Sequence, residues 1–194
     1  MAHSSGTRVG AIAEGLRQDE PIGRVESKTA AVAVIIRTAL FGEEVLLIRR
    51  AVREGDPWSG DAAFPGGRVE APDGSFRDAA AREALEEVGV DLAANARFLG
   101  YMHQFQARRG NIWVVPSVFL LTGAVSIRAN SEVSSHLWVP LVELLGRESR
   151  ATFTLVRGEE RMTFPSFNLR GYVVWGLTER ILSSLAGSIG DEPS

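Results

Sequence analysis

The chain has no cysteine and only one lysine, Lys28; every other basic residue is arginine. Without cysteine there can be no disulfide scaffold, thiolate zinc site, iron–sulfur cluster or cysteine nucleophile. Long apolar runs are missing too. The longest, such as Ala30–Ile36, fall far short of the ~20 residues that span a bilayer, so no membrane partner is expected. No basic segment leads into an apolar core at the N-terminus, so the sequence predicts no secretory leader and a cytoplasmic location. Positive charge is not in excess: 21 Lys+Arg face 24 Asp+Glu, a net charge of −3. That balance argues against a dedicated nucleic-acid binder. The three histidines, His3, His103 and His136, show no metal-ligand spacing. The arginine bias reads first as a coding bias, with phosphate recognition as the alternative. What remains, 45% apolar and 23% charged over 194 residues, suits one soluble domain.

Residues 1–26 are polar and read as an N-terminal extension. Within it Val9, Ile12 and Leu16 recur at helical spacing and predict one short helix, docked or mobile. Residues 27–190 form the main domain. Ala30–Ala39 and Val45–Arg49 read as strands joined through Phe41-Gly42-Glu43-Glu44. Residues 51–67 form the longest irregular stretch, and long loops in compact domains are often functional. Residues 76–88 are rich in Ala, Glu and Arg and predict a helix, with Ser75 as N-cap and Gly89 as C-terminal glycine. Phe98–Gln106 and Ile112–Leu121 predict strands around a turn at 108–111, and His136–Val139 a short strand. A short helix starts at Pro140. Thr152–Val156 and Arg161–Phe164 predict a late hairpin, and residues 171–186 a C-terminal helix. The pattern is that of an α/β domain, a sheet covered by helices.

The informative stretch is Arg82-Glu83-Ala84-Leu85-Glu86-Glu87-Val88-Gly89-Val90. On a helix Glu83 neighbours both Glu86 and Glu87, and like charges at that spacing are destabilising. A hard dication would relieve them, since Mg²⁺ prefers oxygen ligands; a solvated acidic face is the plainer alternative. Upstream, Phe64-Pro65-Gly66-Gly67 precedes the alternating Arg68-Val69-Glu70. Paired glycines let the backbone approach an anion or metal closely.

These residues together resemble the Nudix hydrolase family, whose box reads G-x5-E-x7-R-E-U-x-E-E-x-G-U, with U bulky and apolar. Gly67, Arg82, Glu83, Glu86, Glu87, Gly89 and Val90 match it. Asp73 stands where the first Glu belongs, eight residues rather than seven separate it from Arg82, and Ala84 replaces the bulky residue. The departures, together with Leu46-Leu47-Ile48-Arg49-Arg50 and Trp138-Val139-Pro140-Leu141, resemble the coenzyme A pyrophosphatase branch. That branch usually has His before the equivalent of Gly60 and Gln or Glu after it; here Trp58-Ser59 precede Gly60 and Asp61 follows.

The resemblance implies a Nudix-type α/β/α sandwich with a mixed β-sheet between helices. It implies hydrolysis of a nucleoside diphosphate linked to X, dependent on Mg²⁺ or Mn²⁺, with a small-molecule nucleotide as substrate. Coenzyme A, cleaved to 4′-phosphopantetheine and 3′,5′-ADP, is the first choice. ADP-ribose, a nucleotide sugar or a dinucleoside polyphosphate is the alternative, and a non-catalytic nucleotide-binding module a further one. Glu83, Glu86 and Glu87 are the implied metal ligands, joined by the Gly67 carbonyl. Arg82 is expected to orient a box carboxylate. The general base is Glu132 or a box glutamate such as Glu86; Glu70 is expected to face solvent. Arg49, Arg50 and Arg53 are candidates for the phosphates, since guanidinium matches their geometry. Trp58 or Phe105 is a candidate for stacking on adenine.

Overall fold

A computed structural model describes residues 7–21, 28–54, 59–107 and 111–190. The chain opens with helix α1 (Arg8–Glu14), then strands β1 (Thr29–Ala39), β2 (Gly42–Arg50), β3 (Ala62–Ala63) and β4 (Gly66–Arg68). Helix α2 (Phe76–Val88) and the one-turn helix α3 (Leu92–Asn95) follow. Next come β5 (Ala96–Tyr101), β6 (Phe105–Gln106), β7 (Trp113–Leu121) and β8 (Val133–Pro140). A 3₁₀ turn at Leu141–Leu144 leads on to β9 (Arg150–Arg157), β10 (Glu160–Leu169), β11 (Tyr172–Trp175) and helix α4 (Gly176–Gly190). No described helix is long and apolar enough to cross a membrane.

The larger sheet runs β3-β2-β1-β7-β5, with β8 on β2, β4 on β1 and β6 on β7. It is mixed: β1 and β7 run parallel from Thr29 opposite Trp113 to Ile36 opposite Leu120, whereas β2, β4 and β5 join it antiparallel. One edge of β1 is shared. Ile36–Ala39 pair with β2, while Ala30–Val32 pair with Arg68, Gly67 and Gly66 of β4. The double glycine is therefore hydrogen-bonded into the middle of the sheet.

Side-chain alternation along the central strands sorts the core into two layers. Ala31, Ala33, Ile35, Leu46 and Ile48 pack with Phe76, Ala79, Ala80, Ala84 and Val88 of α2. Val34, Ile36, Val45 and Leu47 pack on the other face with Ile181, Leu182, Leu185 and Ile189 of α4 and with Val9 and Ile12 of α1. The result is the α/β/α sandwich expected. The N-terminal helix is docked, and the segment after it reaches further: Arg17 and Tyr101 exchange backbone hydrogen bonds of 2.9 and 2.8 Å.

Two local expectations need correction. The first turn is Leu40-Phe41, because the β1–β2 register runs as far as Ala39 opposite Gly42. Gly42, at φ 121, supplies the bend in a conformation that few other residues accept. The C-terminal helix begins at Gly176, not 171: Tyr172–Trp175 forms β11 against β10. Its β-branched and aromatic residues favour a strand, and Gly176 at φ 69 separates it from the helix. The late hairpin forms as expected, and with β11 it makes a second, antiparallel three-stranded sheet.

Candidate active site

Helix α2 is fixed at both ends. Ser75 Oγ accepts from Asp78 N–H at 3.0 Å, and Glu20 Oε1 accepts from Phe76 N–H at 2.6 Å. Gly89 ends the helix in the left-handed conformation at φ 69. Its buried stripe is Phe76, Ala79, Ala80, Ala84, Glu87 and Val88. The alanines bring the helix close to Ala31 and Ala33 of β1. Glu87 occupies a core-facing position and is only 3% exposed. Burying a carboxylate is costly unless it is paired and hydrogen-bonded, so its partners matter.

Those partners begin with the glycines. Gly66 N–H donates to Glu87 Oε2 at 3.0 Å. The Glu83 carboxylate lies against Gly67: a Cβ there would fall 2.6 Å from Glu83 Cδ. A Cβ on Gly66 would meet Val32 Cα at 2.7 Å. One glycine thus admits the strand pairing and the other admits the acid. Burial pushes the Glu87 carboxyl up to about 7; the Gly66 N–H and Arg50 oppose this, while Glu83 and Glu132 add to it. Burial also raises Glu83, against the pull of Arg82.

Arg82 is held from several sides. Its Nε and Nη2 donate to the two oxygens of Asp73, each at 3.1 Å. Nη2 also reaches the Arg68 carbonyl at 3.0 Å, and Nη1 reaches Glu83 at 2.9 Å and Glu86 at 3.4 Å. The two-pronged bond to Asp73 is the main reason its proton affinity rises. Asp73 is 6% exposed, and its Oδ2 also accepts from Glu70 N–H at 2.7 Å. It thus closes the lengthened loop onto Arg82. Glu70 itself is exposed.

Glu132 reaches the site through Asn130. Asn130 N–H donates to the Glu87 carbonyl at 3.0 Å, and its Oδ1 accepts from Glu132 N–H at 2.7 Å. The loop before β8 is thereby tied to the end of α2. Nothing in the sequence pattern singled out Asn130.

The arginines divide. Successive strand residues face opposite sides, and Arg50 is the one whose charge acts on Glu87. It stands at an irregularity in the β2–β8 register, a feature that re-aims side chains. Arg49 points the other way, with its guanidinium carbon 4.5 Å from the Tyr172 ring centroid and Nη2 donating to the Gly171 carbonyl at 3.2 Å. It is not grouped with the acids. Arg53 Nη1 bonds Glu132 Oε1 at 3.0 Å. Phe105 is a buried core residue at 4% exposure, so it offers no stacking face. Trp58 lies outside the described residues. Asp61, at the position where the branch carries Gln or Glu, accepts from Trp175 Nε1 at 3.0 Å.

Among the described residues no three of His, Cys, Asp and Glu converge closely enough to hold a metal ion. Arg82 engages both Glu83 and Glu86. The donors nevertheless suit a hard dication: they are all oxygens, and Glu83 and Glu87 both have raised proton affinities beside the glycine backbone.

A NUDIX domain family profile matches residues 27–157. The uncharacterised Nudix hydrolase NudL of Salmonella paratyphi B is 33% identical over 172 residues, covering 87% of this chain and 86% of NudL. The peroxisomal coenzyme A diphosphatase ndx-8 of Caenorhabditis elegans is 39% identical over 101 residues, 50% of this chain and 42% of that protein. The chain spans about two fifths of the length of the eukaryotic relatives it matches. A MutT/nudix family protein from Enterococcus faecalis shares the fold, with a TM-score of 0.54 at 20% identity over 89% of this chain and 66% of that one. Nudix hydrolases generally use divalent metal ions. The sandwich, the glycine strand under an acidic helix and the profile match agree: the chain belongs to the Nudix hydrolase family of pyrophosphohydrolases.

Proposed function

We propose that the chain hydrolyses the pyrophosphate bond of coenzyme A or a derivative, giving 4′-phosphopantetheine and 3′,5′-ADP in the cytoplasm. One observation carries the reading. In the matched segment, a buried Glu87 is bonded to Gly66 N–H and Glu83 is seated on Gly67. The similarity to a coenzyme A diphosphatase over half the chain supports the choice of substrate. Glu83 and Glu87, with Glu86 and the Gly67 carbonyl, would hold Mg²⁺ or Mn²⁺. When bound, such an ion supplies charge neutralisation for the diphosphate and a lowered pKa for its water. Arg82, fixed by Asp73, orients Glu83. Glu132 takes the proton of the attacking water, and Arg50 offers a cation to the diphosphate.

The position of Arg49 favours a second reading. A 3′-phosphate needs cations, and Arg49 is engaged by Tyr172 and Gly171. A substrate without that phosphate, such as ADP-ribose or a dinucleoside polyphosphate, would not need it. The test is a timed incubation with Mg²⁺ or Mn²⁺ and coenzyme A, dephospho-coenzyme A, ADP-ribose and a dinucleoside polyphosphate, with products separated by chromatography. Coenzyme A should disappear first. Cleavage of ADP-ribose with coenzyme A intact would overturn the first reading in favour of the second.

A further inference from the structure

Arg53 and Glu132 meet at 3.0 Å from positions 79 residues apart. The sequence marks Arg53 for phosphate, yet the structure commits its guanidinium to a carboxylate. Both partners are about half exposed, at 49% and 46%. Such a pair contributes little to folding, but the main chain on each side is anchored. Arg53 N–H donates to Ser59 Oγ at 2.6 Å, and that hydroxyl lies 3.2 Å from the Arg53 carbonyl, to which it can donate. Ser59 thus anchors the main chain of Arg53. Glu132 is pinned at its N–H by Asn130 Oδ1 and at its carbonyl by Ala51 N–H, each at 2.7 Å.

Only the Glu132 side chain is left to be placed. A half-exposed glutamate has several rotamers, and the negative charge of nearby Glu87 repels it. We propose that Arg53 is a positioning residue that holds the Glu132 carboxylate at the rim of the box acids, rather than a cation that grips substrate phosphate. The proposal rests on Glu132 being the general base. A base acts only within hydrogen-bond reach of the proton it takes, so restricting its rotamers acts on turnover and not on substrate affinity.

The test measures kcat and KM at saturating Mg²⁺ for the wild type, R53Q, R53K, E132Q and the R53Q/E132Q double variant, on whichever substrate the incubation identifies. R53Q should lower kcat by about tenfold or more with KM within about twofold, and R53K should recover part of the loss. In the E132Q background, R53Q should change kcat by less than about twofold. A raised KM with kcat intact, or equal losses in both backgrounds, overturns the positioning role and returns Arg53 to the substrate. Wild-type kcat in E132Q instead removes the base assignment, and the positioning role with it. The two failures are distinct, because only the second is visible in E132Q alone. Thermal melting of R53Q close to the wild type confirms that the fold is unchanged.

Discussion

Replacing Glu87 by Gln tests the electrostatics of the site while keeping its shape. In the folded protein this carboxyl is pushed from the usual 4.5 up to about 7. Maintaining its charged form there costs about 3 kcal/mol. Between those two pH values the folded chain keeps a proton that the unfolded chain releases, so stability falls as pH rises through the window and levels off above about 7. Gln retains an oxygen for Gly66 N–H and carries no charge. With chelator present at pH 8, E87Q should therefore be more stable than the wild type by about 2–3 kcal/mol. For a domain of this size that is a rise in Tm of roughly 4–12 °C. At pH 5 the two should melt close together. Added Mg²⁺ should stabilise the wild type, by about 2.7 kcal/mol at a hundred times Kd, and leave E87Q unmoved. Turnover should drop by orders of magnitude in the variant. Melting curves against pH, with and without Mg²⁺, provide the check. A wild-type Tm that is flat from pH 5 to 8, with E87Q no more stable at pH 8, would refute the reasoning.

Two further substitutions probe the frame around the acids. Asp73→Asn removes the charge that meets the Arg82 fork, and breaking a largely buried pair should lower unfolding free energy by about 2–3 kcal/mol in urea titration; an unchanged midpoint would show that Glu83 and Glu86 suffice to hold Arg82. Gly67→Ala places a methyl against the Glu83 carboxylate and should reduce kcat by about tenfold or more while circular dichroism stays unaltered. Full activity would mean that Glu83 need not approach the glycine.

Much of the frame was legible because short-range physics decides it. Helix α2 begins at Ser75 and ends at Gly89 as their capping chemistry predicts, and α1 buries Val9 and Ile12 as their spacing predicts. The misreadings lie where longer-range pairing wins. Gly42 and Glu43 looked like turn residues, but strand register carried them into β2. Tyr172–Trp175 continued an apolar run into α4, and only its pairing with β10 makes it a strand. Arg49 and Arg50 are neighbours in the sequence, and alternation sends them to opposite faces. The partner of Glu132 was beyond reach for another reason. Asn130 is an ordinary polar residue in the sequence, and only the folded loop brings it to α2.

The shared edge of β1 has a mechanical consequence. The glycine strand fills the gap that β2 leaves beside β1, so the floor of the candidate site is a seam in the sheet and not a flap resting on it. Prying Gly66 and Gly67 loose would unzip the strand that both core layers depend on. Amide protons along that seam should accordingly trade with solvent as reluctantly as those at the heart of the domain, and the chemistry should fail on heating only when the whole body melts.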